Sequence, residues 1–303
     1  MIEATPSRTA LATSLMRATH SRRDPSPLID DPWGDRLIPK SERDRFSERI
    51  LSRTELDARV AALGEPDSIL DNYFLANITY PGVIIRSRYA EDALKAATQR
   101  GTRQYVLIGA GFDSFSLRLP AFADGLEIFE IDHPATQAFK IERIKQCGIT
   151  LPASVHFIAA DLAHETLASA LARSSFRSDE PAFFSWLGVT VYLTREANMA
   201  TLRAVASSSA AGSELVFTYV DLAEFGEGGR RAPDHPSAQA VARLGEPFVS
   251  GFDPLKLASD LKSTGLELVE DLDGHQMAER YGRAGHNALR PSATMHIALA
   301  RRP

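Results

Sequence analysis

Tyr105-Val106-Leu107-Ile108-Gly109-Ala110-Gly111-Phe112-Asp113-Ser114-Phe115-Ser116-Leu117 is the stretch on which the reading of this chain turns. An apolar, partly β-branched run enters Gly109-Ala110-Gly111, and Asp113 and Ser114 then offer oxygens of the kind that cap a helix. That order predicts strand, tight turn and helix start. Glycine permits positive φ and lets a ligand approach the main chain. About 20 residues further on, where an acid meets ribose hydroxyls in a Rossmann-like βαβ unit, stands Leu126-Glu127-Ile128-Phe129-Glu130-Ile131-Asp132. Ser114 occupies the place of the third glycine of the dinucleotide fingerprint. The pair therefore points to an adenosine-bearing ligand without a pyrophosphate, which means S-adenosylmethionine (SAM) before NAD.

Downstream, residues 154–160, 181–187, 213–220, 266–271 and 293–300 read as further strands, with helices expected over 134–147, 165–173, from Thr194 through 205, and over 253–264 with Asp253 as N-cap and Pro254 at its first position. Strands alternating with helices predict an α/β fold, a doubly wound and mostly parallel Rossmann-like sheet. Asp161 falls at the carboxyl end of the third strand, the edge where open α/β sheets bind ligands. Residues 221–252 break the rhythm with glycines, prolines and Arg230-Arg231; a connection this long is read as a lid insertion, with a short helix near 237–244, a disordered segment being the competing reading. Upstream, residues 1–100 read as a helical cap before a core of 101–303, with helices at 9–19, 41–63 and 73–98, a turn at Asp30-Asp31-Pro32-Trp33-Gly34 and an interruption at Pro81-Gly82. Arg86 and Arg88 are two apart on a helix and point to different sides.

The 303 residues carry 34 basic and 39 acidic side chains, a net charge of −5 and a pI near 5.9, a balance that does not favour nucleic acid, whose binders usually carry a basic face. Cys147 is the single cysteine, so an internal disulfide is excluded. No apolar run reaches the ~20 residues that cross a bilayer, and residues 1–23 have no continuous apolar core of a signal peptide. The expectation is a cytoplasmic protein without membrane or nucleic-acid partners, an Arg- and Ser-rich transit peptide being the competing reading of the start. The eight histidines do not fall at metal-ligand spacing, so no metal is expected.

Six motifs in one order make the chain resemble the leucine carboxyl methyltransferase family. They are an Arg17-Ala18-Thr19-His20 segment with Asp30-Asp31-Pro32-Trp33, then Arg86-Ser87-Arg88-Tyr89, Gly109-Ala110-Gly111-Phe112-Asp113, Phe129-Glu130-Ile131-Asp132-His133-Pro134, Ala160-Asp161-Leu162 and Gly188-Val189-Thr190-Val191-Tyr192-Leu193-Thr194. The family includes phosphatase methyltransferases and tetracenomycin-type polyketide O-methyltransferases. The resemblance implies a SAM-dependent methyltransferase with seven strands, the last antiparallel, and a helical N-terminal cap. By the same resemblance Arg86 grips the SAM carboxylate, and Gly109 and Gly111 form the turn against which the methionine part rests, with Ala110 and Asp113 as further cofactor-binding residues of that loop. Asp132, with Glu130 in its motif, takes the ribose, Asp161 and Leu162 take adenine, and Arg17 and Tyr192 face the substrate. One position departs from the pattern: Leu187 stands where many relatives have a glutamate, which weakens the case for methylating a phosphatase tail.

Methyl transfer from SAM is an in-line displacement that mainly requires nucleophile and methyl to be held together. A carboxylate acceptor needs no base, whereas a hydroxyl benefits from one, for which Tyr192, His133 and His235 are the candidates. The expected activity is O-methylation of a carboxylate or hydroxyl on a small molecule such as a polyketide or other secondary metabolite. Competing readings are carboxyl methylation of a protein C-terminus, a SAM-binding protein without catalysis, and a NAD-dependent oxidoreductase.

Overall fold

The structure, a computed structural model, describes residues 6–51, 66–162, 164–225, 248–282 and 289–303. Seven strands form one sheet: β1 (Gln104–Ile108), β2 (Glu127–Asp132), β3 (Val155–Ala159), β4 (Ala182–Trp186), β5 (Glu214–Val220), β6 (Glu267–Leu272) and β7 (Met295–Arg301). Their order is β3-β2-β1-β4-β5-β7-β6, parallel except that β7 runs antiparallel to both β5 and β6. β1, β4 and β5 are buried at every residue, whereas the edge strands β3 and β6 are partly exposed. Strands covered on both faces are built of near-continuous apolar sequence for that reason.

The twofold period of the strands divides their side chains between two cores. Tyr105, Leu107, Phe183 and Val216 pack on one side with Ile84 and Ile85 of helix α5 (Tyr80–Gln99) and with Leu11 and Leu15 of α1 (Arg8–Arg23). Val106, Ile108, Phe184, Trp186 and Phe217 pack on the other with Leu171 of α8 (Leu167–Leu171), Leu202 of α9 (Arg195–Ser207) and Leu261 of α10 (Leu257–Thr264). The helical N-terminal region, α1 with α2 (Trp33–Leu37), α3 (Lys40–Leu51) and α4 (Pro66–Leu75), thus shares an apolar cluster with one face of the sheet. Helices α6 (Phe115–Arg118), α7 (Pro134–Gln146) and α11 (Gly274–Tyr281) complete the layers.

Local expectations hold at most boundaries and fail at a few for identifiable reasons. Thr194 caps α9, its hydroxyl accepting from the Ala197 amide. Ser114 makes no cap bond to α6; Asp113 closes the turn by accepting from the Phe115 amide at 2.8 Å, and the Ser114 hydroxyl accepts from Arg118 Nε. Pro81 does not break a helix but sits in the first turn of α5, where its missing N–H costs nothing. Asp253 is not the N-cap of α10: its carboxylate accepts from the Leu255 amide at 3.0 Å in a separate turn, and the helix begins after Lys256. An Asx-turn and a helix cap share one sequence signature. The stretch expected to form a lid is anchored at both ends, the Leu222 amide donating to Phe252 O at 2.7 Å and the Val249 amide to Val191 O at 2.6 Å. Its interior, with the helix expected near 237–244 and His235, lies outside the described residues.

Candidate active site

The glycine turn hooks over the carboxyl end of β2. Gly109 and Ala110 both donate to Ile131 O, at 2.9 and 3.0 Å. Gly109 and Gly111 have φ of +69° and +52°, and a Cβ on Gly109 would lie 2.7 Å from Val189 Cγ2. Both conformation and space therefore require glycine at position 109. A Cβ on Gly111 would meet Ala10 Cβ at 3.0 Å, so α1 lies directly against the loop.

Asp132 is the last residue of β2, and its pairing continues only with β3, because β1 ends at Ile108 opposite Ile131. Its carboxylate stands at the lip of the sheet, accepting from the Gly111 amide and from the His133 amide. Burial pushes this carboxyl above its ordinary pKa, and the two amide hydrogen bonds oppose the rise. Glu130, grouped with Asp132 in the sequence motif, is placed differently: it lies opposite Leu107 in the interior. One of its oxygens accepts from Ser116 Oγ at 2.6 Å and the other pairs with Lys140 of α7. Glu130 is thus not brought to the crevice.

Arg86 projects from the first half of α5 towards the end of β4 and lies across Gly188. The guanidinium atoms stand 2.6–2.8 Å from where a Cβ on Gly188 would be, and φ there is +70°. Among the described residues no carboxylate or carbonyl bonds to it. Burial pulls its pKa down to about 10, with Tyr192 and Asp113 acting the other way and Arg17 reinforcing the fall. Arg88 points out of this region, with Nε 2.9 Å from Asp92 and Nη1 donating to Leu28 O at 3.1 Å. Arg17, read as a substrate contact, is engaged by protein: Nε donates to Asp31 at 2.6 Å and Nη2 to Phe112 O at 2.7 Å.

The turn after β4 is held by Thr218 of β5, a residue that no motif signals. Its hydroxyl accepts from the Gly188 amide at 2.7 Å, and its carbonyl accepts from Thr190 Oγ1 at 2.6 Å. Tyr192 ends this turn with its ring 5.6 Å from that of Phe248 in an edge-on arrangement. Leu187 is partly buried and packs against the core on the cap side of the sheet. His133 caps α7, Nδ1 accepting from the Ala135 amide at 3.3 Å, which leaves Nε2 as the protonated nitrogen of the neutral ring. That Nε2 is 3.9 Å from Asp161, which also bonds His164 Nδ1 at 2.8 Å. Leu162 beside it packs onto the second apolar core. A separate surface cavity of about 630 Å³ between Leu28, Trp33, Arg88 and Arg118 holds none of the crevice residues. Among the described residues no group of three or more His, Cys, Asp or Glu is poised for a metal ion, and no helix is long and apolar enough to cross a membrane.

Arg86 over Gly188, the glycine turn and Asp132 therefore stand at the carboxyl ends of β4, β1 and β2, the edge where open α/β sheets form a ligand crevice, with an unpaired cation at one side and an acceptor carboxylate at the other. The family model described as leucine carboxyl methyltransferase matches residues 10–206, from α1 to α9. The chain belongs to that family. A Bacillus subtilis protein named "Putative S-adenosyl-L-methionine-dependent methyltransferase YktD" is 31% identical over 294 residues, covering 96% of each chain. A Mycolicibacterium gilvum relative with the same descriptive name is 33% identical over 229 residues, 75% of this chain and 71% of that one. Among solved structures, a duf574 family protein from Streptomyces avermitilis superposes with a TM-score of 0.55 at 14% identity, covering 77% of this chain and 91% of that one. A Thermobifida fusca protein described as a "putative methyltransferase" gives 0.54 at 16% identity, covering 85% and 93%. This member of the leucine carboxyl methyltransferase family is accordingly a SAM-dependent methyltransferase on an α/β sheet with an antiparallel end.

Gly188 ties this site to the fold, and it carries a prediction. Gly188→Ala adds a Cβ where the Arg86 guanidinium lies and places an L-residue at positive φ. The expected result is a loss of ~1–3 kcal/mol of stability together with weaker SAM binding as Arg86 is displaced. Chemical denaturation and calorimetry of the variant check both.

Proposed function

We propose that this enzyme transfers the SAM methyl group to an oxygen, carboxylate or hydroxyl, of a small organic molecule such as a polyketide or other secondary metabolite. The observation that carries the cofactor half of this reading is Arg86, a partly buried guanidinium without a protein partner, lying over Gly188 beside the glycine turn. An unpaired buried charge is costly unless a ligand meets it. A carboxylate-bearing ligand such as SAM suits a fixed two-pronged donor. SAM supplies an activated methyl on a sulfonium; the residues supply placement. Gly109, Ala110, Gly111 and Asp113 line the path of the methionine part, Asp132 meets the ribose diol, and Asp161 with Leu162 borders the adenine. Tyr192 beside Phe248 gives the acceptor an aromatic wall. Support for the small-molecule acceptor comes from the resemblance to polyketide O-methyltransferases and from Leu187 in place of the glutamate.

Asp132→Ala is expected to weaken SAM binding by ~1.5–3 kcal/mol, the worth of hydrogen bonds to a charged group. Its amide donors, Gly111 and His133, would turn to water, so titration calorimetry should show the loss while circular dichroism stays native. The overall reading is tested by calorimetry with SAM, S-adenosylhomocysteine (SAH) and NAD, followed by transfer from labelled SAM to a panel of carboxylic acids, phenols and alcohols. Binding of NAD alone, or label appearing only on a protein C-terminus, would overturn it.

A further inference from the structure

We infer that Arg17 and Asp31 form a latch by which the N-terminal cap sets the shape of the cofactor loop, making both of them positioning residues for SAM. The inference rests on the crevice being the SAM site.

Phe112 lies between Gly111 and Asp113, and its carbonyl accepts from Arg17 Nη2 at 2.7 Å. The neighbouring Gly111 amide is held by Asp132. Two successive residues of the loop are thus fixed by charged groups from different parts of the chain, one in the cap and one at the end of β2. Ala10 and Arg17 are seven residues apart, two turns of α1, and so lie on one helix face. Ala10 abuts Gly111 where Arg17 reaches Phe112. The start of α1 is tied down as well, the Ser7 amide donating to Thr136 Oγ1 of α7 at 3.3 Å.

Arg17 needs Asp31 to hold this position. A guanidinium directed at a single carbonyl would be a buried charge without a counter-ion, and Asp31 supplies one through Arg17 Nε at 2.6 Å. Asp31 is fully buried, and it also accepts from the Trp33 amide at 3.1 Å, which fixes it in the turn that opens α2. Burial alone would raise the Asp31 carboxyl, yet the charges of Arg17 and Arg118 and hydrogen bonds from Arg17 and Ser114 hold it below its ordinary range. Ser114 and Arg118 both follow the glycine turn, so the carboxylate from the cap acts on that segment directly as well as through Arg17.

The fork of Arg17 is what makes the latch, since one edge must face Asp31 while the other reaches a backbone oxygen. Lysine keeps the charge but offers a single point of contact. Arg17→Lys is therefore expected to keep the pair with Asp31, lose Phe112 and weaken SAH binding about tenfold or more, while the melting temperature changes little. Asp31→Asn keeps the shape, removes the counter-charge and should weaken SAH binding as well as stability.

The test is titration calorimetry of SAH into the full-length wild-type chain, Arg17→Lys, Asp31→Asn and Arg86→Ala, with thermal unfolding of each. Hydrogen exchange of the wild type with and without SAH needs no variant to fold. The latch predicts weaker binding by folded Arg17→Lys, and amides of residues 109–113 and 11–17 gaining protection together when SAH binds. A purely structural pair would lower the melting temperature of Asp31→Asn yet leave the SAH affinity of both variants at the wild-type value, and that result overturns the latch. So does protection confined to residues 109–113. Loss of binding in Arg86→Ala with retention in both latch variants overturns the latch and leaves the cofactor site standing. A wild-type chain that does not bind SAH removes both.

Discussion

Arg86→Ala is expected to cost SAM binding ~2–4 kcal/mol, the range for truncating one partner of a buried charge pair, or roughly 30- to 1,000-fold in affinity. The size follows from what remains when the side chain goes. The glycine turn carries no positive charge and its Gly109, Ala110 and Gly111 amides already donate within the protein, while Arg17 is neutralised by Asp31, Arg118 by Glu91 and Arg88 by Asp92. No paired arginine can move to a ligand carboxylate without abandoning its own partner. Arg86→Lys should fall between wild type and alanine, because it keeps charge but not the planar fork. Arg88→Ala should change affinity little, since its partners are Asp92 and Leu28. Stability should move the other way: burial lowers the pKa of Arg86 in the ligand-free protein, so removing the unpaired charge should leave the melting temperature unchanged or higher. Calorimetry and thermal unfolding together check this; a variant that loses stability but retains SAM affinity would assign Arg86 to the fold alone.

The two arginines also mark how far the sequence reaches. Their spacing dictates that they face different sides of α5, but the side that meets the crevice is chosen by Gly188, about a hundred residues away, on whose missing side chain Arg86 lies. The same limit separates Glu130 from Asp132. Two apart on one strand, they project to the same side, and the motif holds them together; only the register shows β1 covering one and ending before the other. The glycine turn and the parallel strands were legible because they depend on local conformation and on apolar runs that central strands need. Asp31 was legible only as a turn residue, since its bond to Arg17 joins the turn to a helix 14 positions earlier. Thr218 carries no local signal at all; its role arises from the pairing of β4 with β5.

Lys140→Met should have the largest effect on stability, about 3–5 kcal/mol at neutral pH, the cost of breaking a buried ion pair by removing one partner. Both members of the Glu130–Lys140 pair have side chains only 1% exposed, and methionine preserves most of the volume, so the loss isolates the charge. Burial already holds the Glu130 carboxyl above its ordinary pKa, despite the opposing effects of Lys140 and of the hydrogen bond from Ser116. Without Lys140 it must rise further. A carboxyl raised in the folded state takes up protons more readily there than in the unfolded chain. Its favourable contribution is therefore fully present below the unfolded pKa and is lost as pH climbs through the folded value. The deficit of Lys140→Met relative to wild type should accordingly be widest near neutrality and shrink on acidification, as Glu130 becomes a neutral group that needs only its hydrogen bond to Ser116. Denaturant titrations of both proteins across the acid range measure it. A deficit independent of pH would mean that the methionine fails by packing, and a deficit near zero would mean that the Glu130–Lys140 pair makes no net contribution to stability.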